Sequence, residues 1–88
     1  MPRKPTIASA GNVLIPAYLA ILQKGYAVRR EKVSIPAENE LWYAEDPTRQ
    51  FMAEDTLSLL GLVSLYETRG EDWRASDAQI DEFFAQHP

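Results

Sequence analysis

The residues best suited to chemistry in this chain are one histidine, His87, and four pairs of adjacent acids: Glu45-Asp46, Glu54-Asp55, Glu71-Asp72 and Asp81-Glu82. A histidine moves protons near neutral pH only when a rigid neighbour holds its ring. His87 is followed by a single residue, Pro88, so a frayed tail is the expectation for it. Hard metal ions need several carboxylate oxygens converging on one point. None of the four acid pairs has a calcium-loop spacing with its glycine. Their ordinary roles are a turn for Glu45-Asp46, helix capping for Glu54-Asp55 and solvated surface for the other two. Ser9, Ser34, Ser58, Ser64 and Ser76 lie in no nucleophile-elbow context. Gly11, Gly25, Gly61 and Gly70 stand alone, so there is no phosphate-cradling loop. The absence of cysteine removes disulfides and thiolate metal sites. No catalytic residue, metal site or cofactor is expected, and the chain reads as a non-enzyme.

Binding chemistry has more to work with. Large aromatics are enriched at interface hot spots, which singles out Trp42, Tyr43 and Trp73. Trp73 stands in the charged stretch Glu71-Asp72-Trp73-Arg74, and Tyr43 lies close to Glu45 and Asp46. The expected partner-binding residues are therefore Trp42, Tyr43, Glu45, Asp46, Glu71, Asp72 and Trp73. The competing role for each aromatic is a place in the core.

Charge is divided unevenly. Residues 1–37 carry six basic residues (Arg3, Lys4, Lys24, Arg29, Arg30, Lys32) and one acid, Glu31; residues 38–88 carry three basic residues and twelve acids. The halves balance at +5 and −9, within a net charge of −4. Such a division either marks an interaction surface or lets the two halves complement each other inside one fold.

At 88 residues the chain has the size of one domain, and with 45% apolar residues it has globular composition. Residues 1–8, with two prolines and two cations, read as a flexible arm; residues 9–88 read as the domain. A helix is expected from about Val13 to Lys24, capped by Asn12, with Pro16 in its first turn and Gly25 ending it. Leu14, Ala17, Tyr18, Ile21 and Leu22 fall on one face of it. A strand follows over Tyr26–Val33, then a loop over Ser34–Asn39. Asp46-Pro47 suits a type I turn and closes a hairpin that pairs Ala44 with Phe51 and Trp42 with Ala53. One face of the hairpin carries Trp42, Ala44, Phe51 and Ala53. The other carries Leu41, Tyr43 and Met52, which would form the contact face of a homodimer.

A second helix is expected from Thr56 to Arg69, with Asp55 as N-cap and Gly70 after its end. Its wide apolar face predicts a central core helix, with Gly61 kept small for close packing. Ser76 and Gln79 form a capping box for a third helix, whose stripe is Ile80, Phe83 and Phe84. The fold class is α+β, in the order α-β-β-β-α-α: a three-stranded antiparallel meander packed against helices.

The helix ending at Gly25 and running into a two-stranded ribbon resembles the recognition helix and wing of a winged-helix domain. That resemblance implies nucleic-acid contact through Arg29, Arg30 and Lys32. The chain departs from the pattern by lacking two earlier helices and by its acidity, with a pI of about 4.8. In size, charge and freedom from motifs the chain also resembles bacterial immunity proteins, antitoxins and phage-encoded inhibitors. That implies a small acidic module that binds a basic protein partner. A homodimeric structural or adaptor protein is the alternative. Without cysteine, and without a run long enough to span a bilayer, the expected location is the cytoplasm.

Overall fold

The computed structural model describes residues 3–32 and 40–88. Val33 and the loop expected over Ser34–Asn39 lie outside the described residues. Residues 3–9 have no regular structure, and residues 3–10 are exposed. A 3-10 turn, Gly11–Val13, leads into helix α1, Leu14–Gln23. Strands β1 (Ala27–Lys32), β2 (Glu40–Glu45) and β3 (Gln50–Ala53) follow, then helix α2 (Thr56–Arg69), a short 3-10 turn (Gly70–Asp72) and helix α3 (Asp77–Gln86).

The sheet is an antiparallel meander in the order β1-β2-β3. Its register pairs Trp42 with Ala53 and Ala44 with Phe51, as the turn chemistry predicts. Val28 pairs with Ala44, which places Val28, Trp42, Ala44, Phe51 and Ala53 on one face. α1 and α2 both pack on that face. The core between them holds Ile21, Tyr26, Ala44, Leu59 and Val63, with Val28, Trp42, Phe51, Ala53 and Leu60 partly buried around it. Tyr26 meets Phe51 edge to face at 5.7 Å between centroids, and Phe51 meets Tyr66 at 5.9 Å. Burial holds the Tyr26 phenol above its ordinary pKa.

Local rules account for most boundaries. At the end of α1, Gly25 takes φ +96°, where a side chain would be strained. Its N–H bonds the Leu22 carbonyl while the Tyr26 N–H bonds that of Ile21, which is the Schellman pattern and turns Tyr26 into the core. Asp55 caps α2 by accepting from the Ser58 N–H at 2.7 Å. In the capping box of α3, Ser76 accepts from the Gln79 N–H at 3.2 Å and its own N–H donates to the Gln79 side chain at 2.8 Å. The hairpin turn is held by Asp46, whose carboxylate accepts from the N–H of Thr48 (2.8 Å), the hydroxyl of Thr48 (2.9 Å) and the N–H of Arg49 (2.9 Å).

Three expectations are corrected. Asn12 does not cap α1: it lies inside the 3-10 turn, where its side chain makes no capping bond. The start of α1 is tied instead to α2, through the buried Thr56 hydroxyl donating to the Leu14 carbonyl at 2.6 Å. Gly61 packs against nothing, since a Cβ added there would meet no atom within 4 Å. α2 is covered on one side only. Leu59 and Val63 are fully buried, while Leu57 and Leu62 remain open to solvent.

α3 is set apart from this body. Every residue from Glu71 to Pro88 is exposed, and α3 has no extensive contact with α1, α2 or the sheet. The radius of gyration, 16.2 Å, exceeds the roughly 12 Å of a compact domain of this length.

Candidate functional site

Trp42, on the helix-covered face of β2, is half-buried. Tyr18 of α1 meets its ring edge-on at 6.4 Å, and the Arg30 guanidinium lies 5.6 Å from its centroid. Around it a groove of about 470 Å³ opens between α1 and β1, with Val28 and Trp42 as its floor and Leu14, Ile15 and Tyr18 along its α1 side. Sequence reasoning missed this groove, because the residues lining it come from elements distant in the chain.

Tyr43 lies on the opposite face of the sheet, with the Arg29 guanidinium 4.0 Å above its ring. Met52 is its cross-strand partner, and Leu41 shares the face two residues along β2. Among the described elements no helix packs on this side. Leu41 and Tyr43 are half-buried, and Met52 is exposed. Glu45 is on the same face, 3.9 Å from Arg29. The candidate dimer residues are therefore contiguous, but cationic and acidic side chains surround them.

Asp46 is committed to its turn. The backbone N–H of Thr48, more than any other contact, holds its carboxyl below the ordinary range, and Arg49 adds a further N–H and its charge. Glu71 is similarly engaged. It accepts from Arg49 at 3.1 Å and from the Tyr66 hydroxyl at 3.1 Å, while the Arg49 guanidinium covers the Tyr66 ring at 4.0 Å. These contacts join the hairpin turn to the end of α2 and the chain just after it. Burial and the bond to Glu71 push the Tyr66 phenol up. Trp73 is 39% exposed, with the Arg74 guanidinium 4.5 Å from its ring. It lines a hollow of about 320 Å³ beside β3 and α2, together with Phe51, Leu65 and Tyr66. Asp72 stands at the surface beside Arg69 and Arg74. Of the seven candidate binding residues, Glu71 and Trp73 border this hollow together; Trp42, Tyr43 and Glu45 are on other faces.

Two members of the basic cluster on β1, Arg29 and Arg30, are matched by acids. Arg29 pairs with Glu31 at 2.6 Å and Arg30 with Glu40 at 3.6 Å, and on α1 Lys24 pairs with Glu67 at 2.6 Å. The pairs with Glu40 and Glu67, and that of Arg29 with Glu45 at 3.9 Å, let the two halves of the divided charge complement each other, while the Arg29 and Arg30 side chains remain about half exposed. Among the described residues no three of His, Asp and Glu converge as metal ligands would.

Among the described residues, α3 exposes an aromatic stripe. Ile80, Phe83 and Phe84 are 42%, 57% and 61% exposed. Phe83 stacks edge-on against Phe84 at 5.3 Å and tilts over His87 at 5.2 Å, so the stripe is preformed. Asp77 and Asp81 flank it, Glu82 is on the far side, and the helix carries no Lys or Arg. The stripe itself was legible in the sequence. Its exposure was not, because an amphipathic pattern does not name what it packs against.

Comparison of the chain with family models, with curated proteins and with solved structures finds no match. No helix among the described residues is long and apolar enough to cross a membrane.

Proposed function

We propose that the chain is a small, acidic, non-enzymatic protein-binding module of immunity, antitoxin or inhibitor type, and that α3 is its binding element. The observation that carries this reading is the exposure of Ile80, Phe83 and Phe84 on a capped helix with acidic flanks. An amphipathic helix of this kind binds by laying its apolar face into a groove on a partner. Monomeric proteins rarely leave a contiguous apolar surface open unless it is used. The acids of α3 favour a partner whose groove is rimmed by lysine and arginine, through faster encounter and exclusion of acidic competitors. Asp72 and Trp73 stand exposed at the root of the helix, with Arg69 and Arg74 beside them. The lack of cysteine suits action in the cytoplasm.

The test is affinity capture from lysate of the source organism with the full chain, eluted by a salt step and read by mass spectrometry. The expected result is one stoichiometric partner with a basic surface, retained by the wild type and lost by the Phe83→Asp/Phe84→Asp variant. Asp72→Lys/Asp81→Lys, at two exposed acids, should slow association and leave folding intact. Capture that is indifferent to both variants would overturn the reading.

A second reading, a homodimer through Leu41, Tyr43 and Met52, is favoured by one observation: those residues are contiguous on a sheet face that no described helix covers.

A further inference from the structure

We propose that a second copy of this chain is itself an occupant for α3: the helix of one copy lies in the groove between α1 and β1 of the other, and the exchange is reciprocal. The inference rests on the reading that α3 is a binding helix, and adds which surface receives it.

The first support is area. The chain exposes 7223 Å². A compact monomer of 10.0 kDa exposes about 5,200 Å². The excess of roughly 2,000 Å² per chain is shared between the exposed arm at residues 3–10 and the exposed segment 71–88, and it leaves room for the about 800 Å² that each partner contributes to a stable interface. Part of that excess lies in α3.

The second support is complementarity. The groove has an apolar floor and wall made by Leu14, Ile15, Tyr18, Val28 and Trp42, and Arg30 stands over Trp42 at its rim. Lys32 shares that face of β1. The occupant that suits such a groove has an aromatic stripe with carboxylates along its edge. α3 has both, with Asp77 and Asp81 beside Ile80, Phe83 and Phe84. The basic first half of the sequence supplies most of the groove, Leu14 to Arg30, with Trp42 and Thr56 added from the second half, and the acidic second half supplies the helix.

The third support is reach. The groove opens beside Thr56, at the start of α2. α3 hangs from the other end of α2, 14 residues away, or about 20 Å along the helix. Its connection is pinned there, since Arg69 donates to the carbonyls of Trp73 at 2.9 Å and Arg74 at 3.4 Å, and Glu71 is held by Arg49 and Tyr66. A helix so anchored does not reach its own groove without releasing these bonds, whereas a neighbour's helix can enter it. Reciprocal exchange fills both grooves and closes as a two-fold dimer, so association stops at two.

Sedimentation of the full chain at tens of micromolar tests this. The expected mass is twice that of one chain, falling to one for Phe83→Asp/Phe84→Asp and for Arg30→Glu, with circular dichroism showing the sheet and α2 retained. Mixing those two variants should restore a dimer, because one intact helix then meets one intact groove. A wild type that is monomeric overturns the exchange. So does a dimer that survives Phe83→Asp/Phe84→Asp but is lost in Met52→Asp, which would assign the interface to the open sheet face. A monomer that still captures a basic protein through α3 overturns the exchange and leaves the proposed function standing. A helix-exchanged dimer that captures nothing supports the exchange and overturns the proposed function.

Discussion

α2 and α3 are built by the same local rules and meet opposite fates. Each begins at a side-chain cap, Asp55 for one and Ser76 with Gln79 for the other. Each carries an apolar stripe at helical spacing. Yet α2 buries Leu59 and Val63 completely against α1 and the sheet, whereas α3 buries nothing. Capping and periodicity make a helix; only a complementary surface within reach makes it part of a core. The seven residues between the helices, Gly70 to Ser76, decide the difference, because their bonds to Arg69, Arg49 and Tyr66 direct α3 away from the body.

Matched substitutions in the two helices sharpen this contrast. Leu59→Ala removes a fully buried side chain and should cost about 2–5 kcal/mol in urea denaturation. Phe84→Ala, measured at high dilution where association makes no contribution, should change stability by less than about 0.5 kcal/mol. Comparable losses at the two positions would mean that α3 packs on its own body.

Removing the caps makes the same comparison at smaller scale. Asp55→Ala should lower global stability by about 1 kcal/mol. Ser76→Ala should leave the unfolding midpoint of the body unchanged and speed amide exchange in residues 77–86 alone, since that helix frays independently. Gly61→Ala should stabilise by up to about 1 kcal/mol, because the site is an exposed helix interior with room for a methyl group. A loss there would reveal a close neighbour of α2, such as a partner helix.

The smallest effect concerns pH. The folded Asp46 carboxyl titrates below its ordinary value of 3.8, chiefly because it accepts the Thr48 N–H. Its contribution is therefore complete above that ordinary value and is lost as pH falls through the lower folded one. The difference in Tm between wild type and Asp46→Asn should be largest near neutral pH and shrink on acidification. A constant difference would mean that the turn does not depend on the ionised form.

The amino-acid sequence by itself determined the elements and the sheet. Asp46-Pro47 set the hairpin, and with it the pairing of Trp42 with Ala53 and the choice of inner face. Gly25, Asp55, Gly70 and the Ser76–Gln79 box set helix ends. Each of these follows from the conformational limits and hydrogen-bond needs of a few neighbouring residues, which are local and therefore legible. Where local rules overlapped they misled: Asn12 has the right chemistry for a cap, but the chain enters α1 through a 3-10 turn, in which the Leu14 N–H bonds the Gly11 carbonyl and Asn12 makes no capping bond. What only the tertiary structure decided was coverage. Whether Leu62 is open, whether Asp46 and Glu71 are bound within the chain, and whether the stripe of α3 has a partner depend on the direction in which whole elements meet. The groove beside Trp42 joins α1, β1 and β2, and the helix proposed to fill one like it points away from its own. Periodicity states that a face is apolar, and the packing of distant segments decides what covers it.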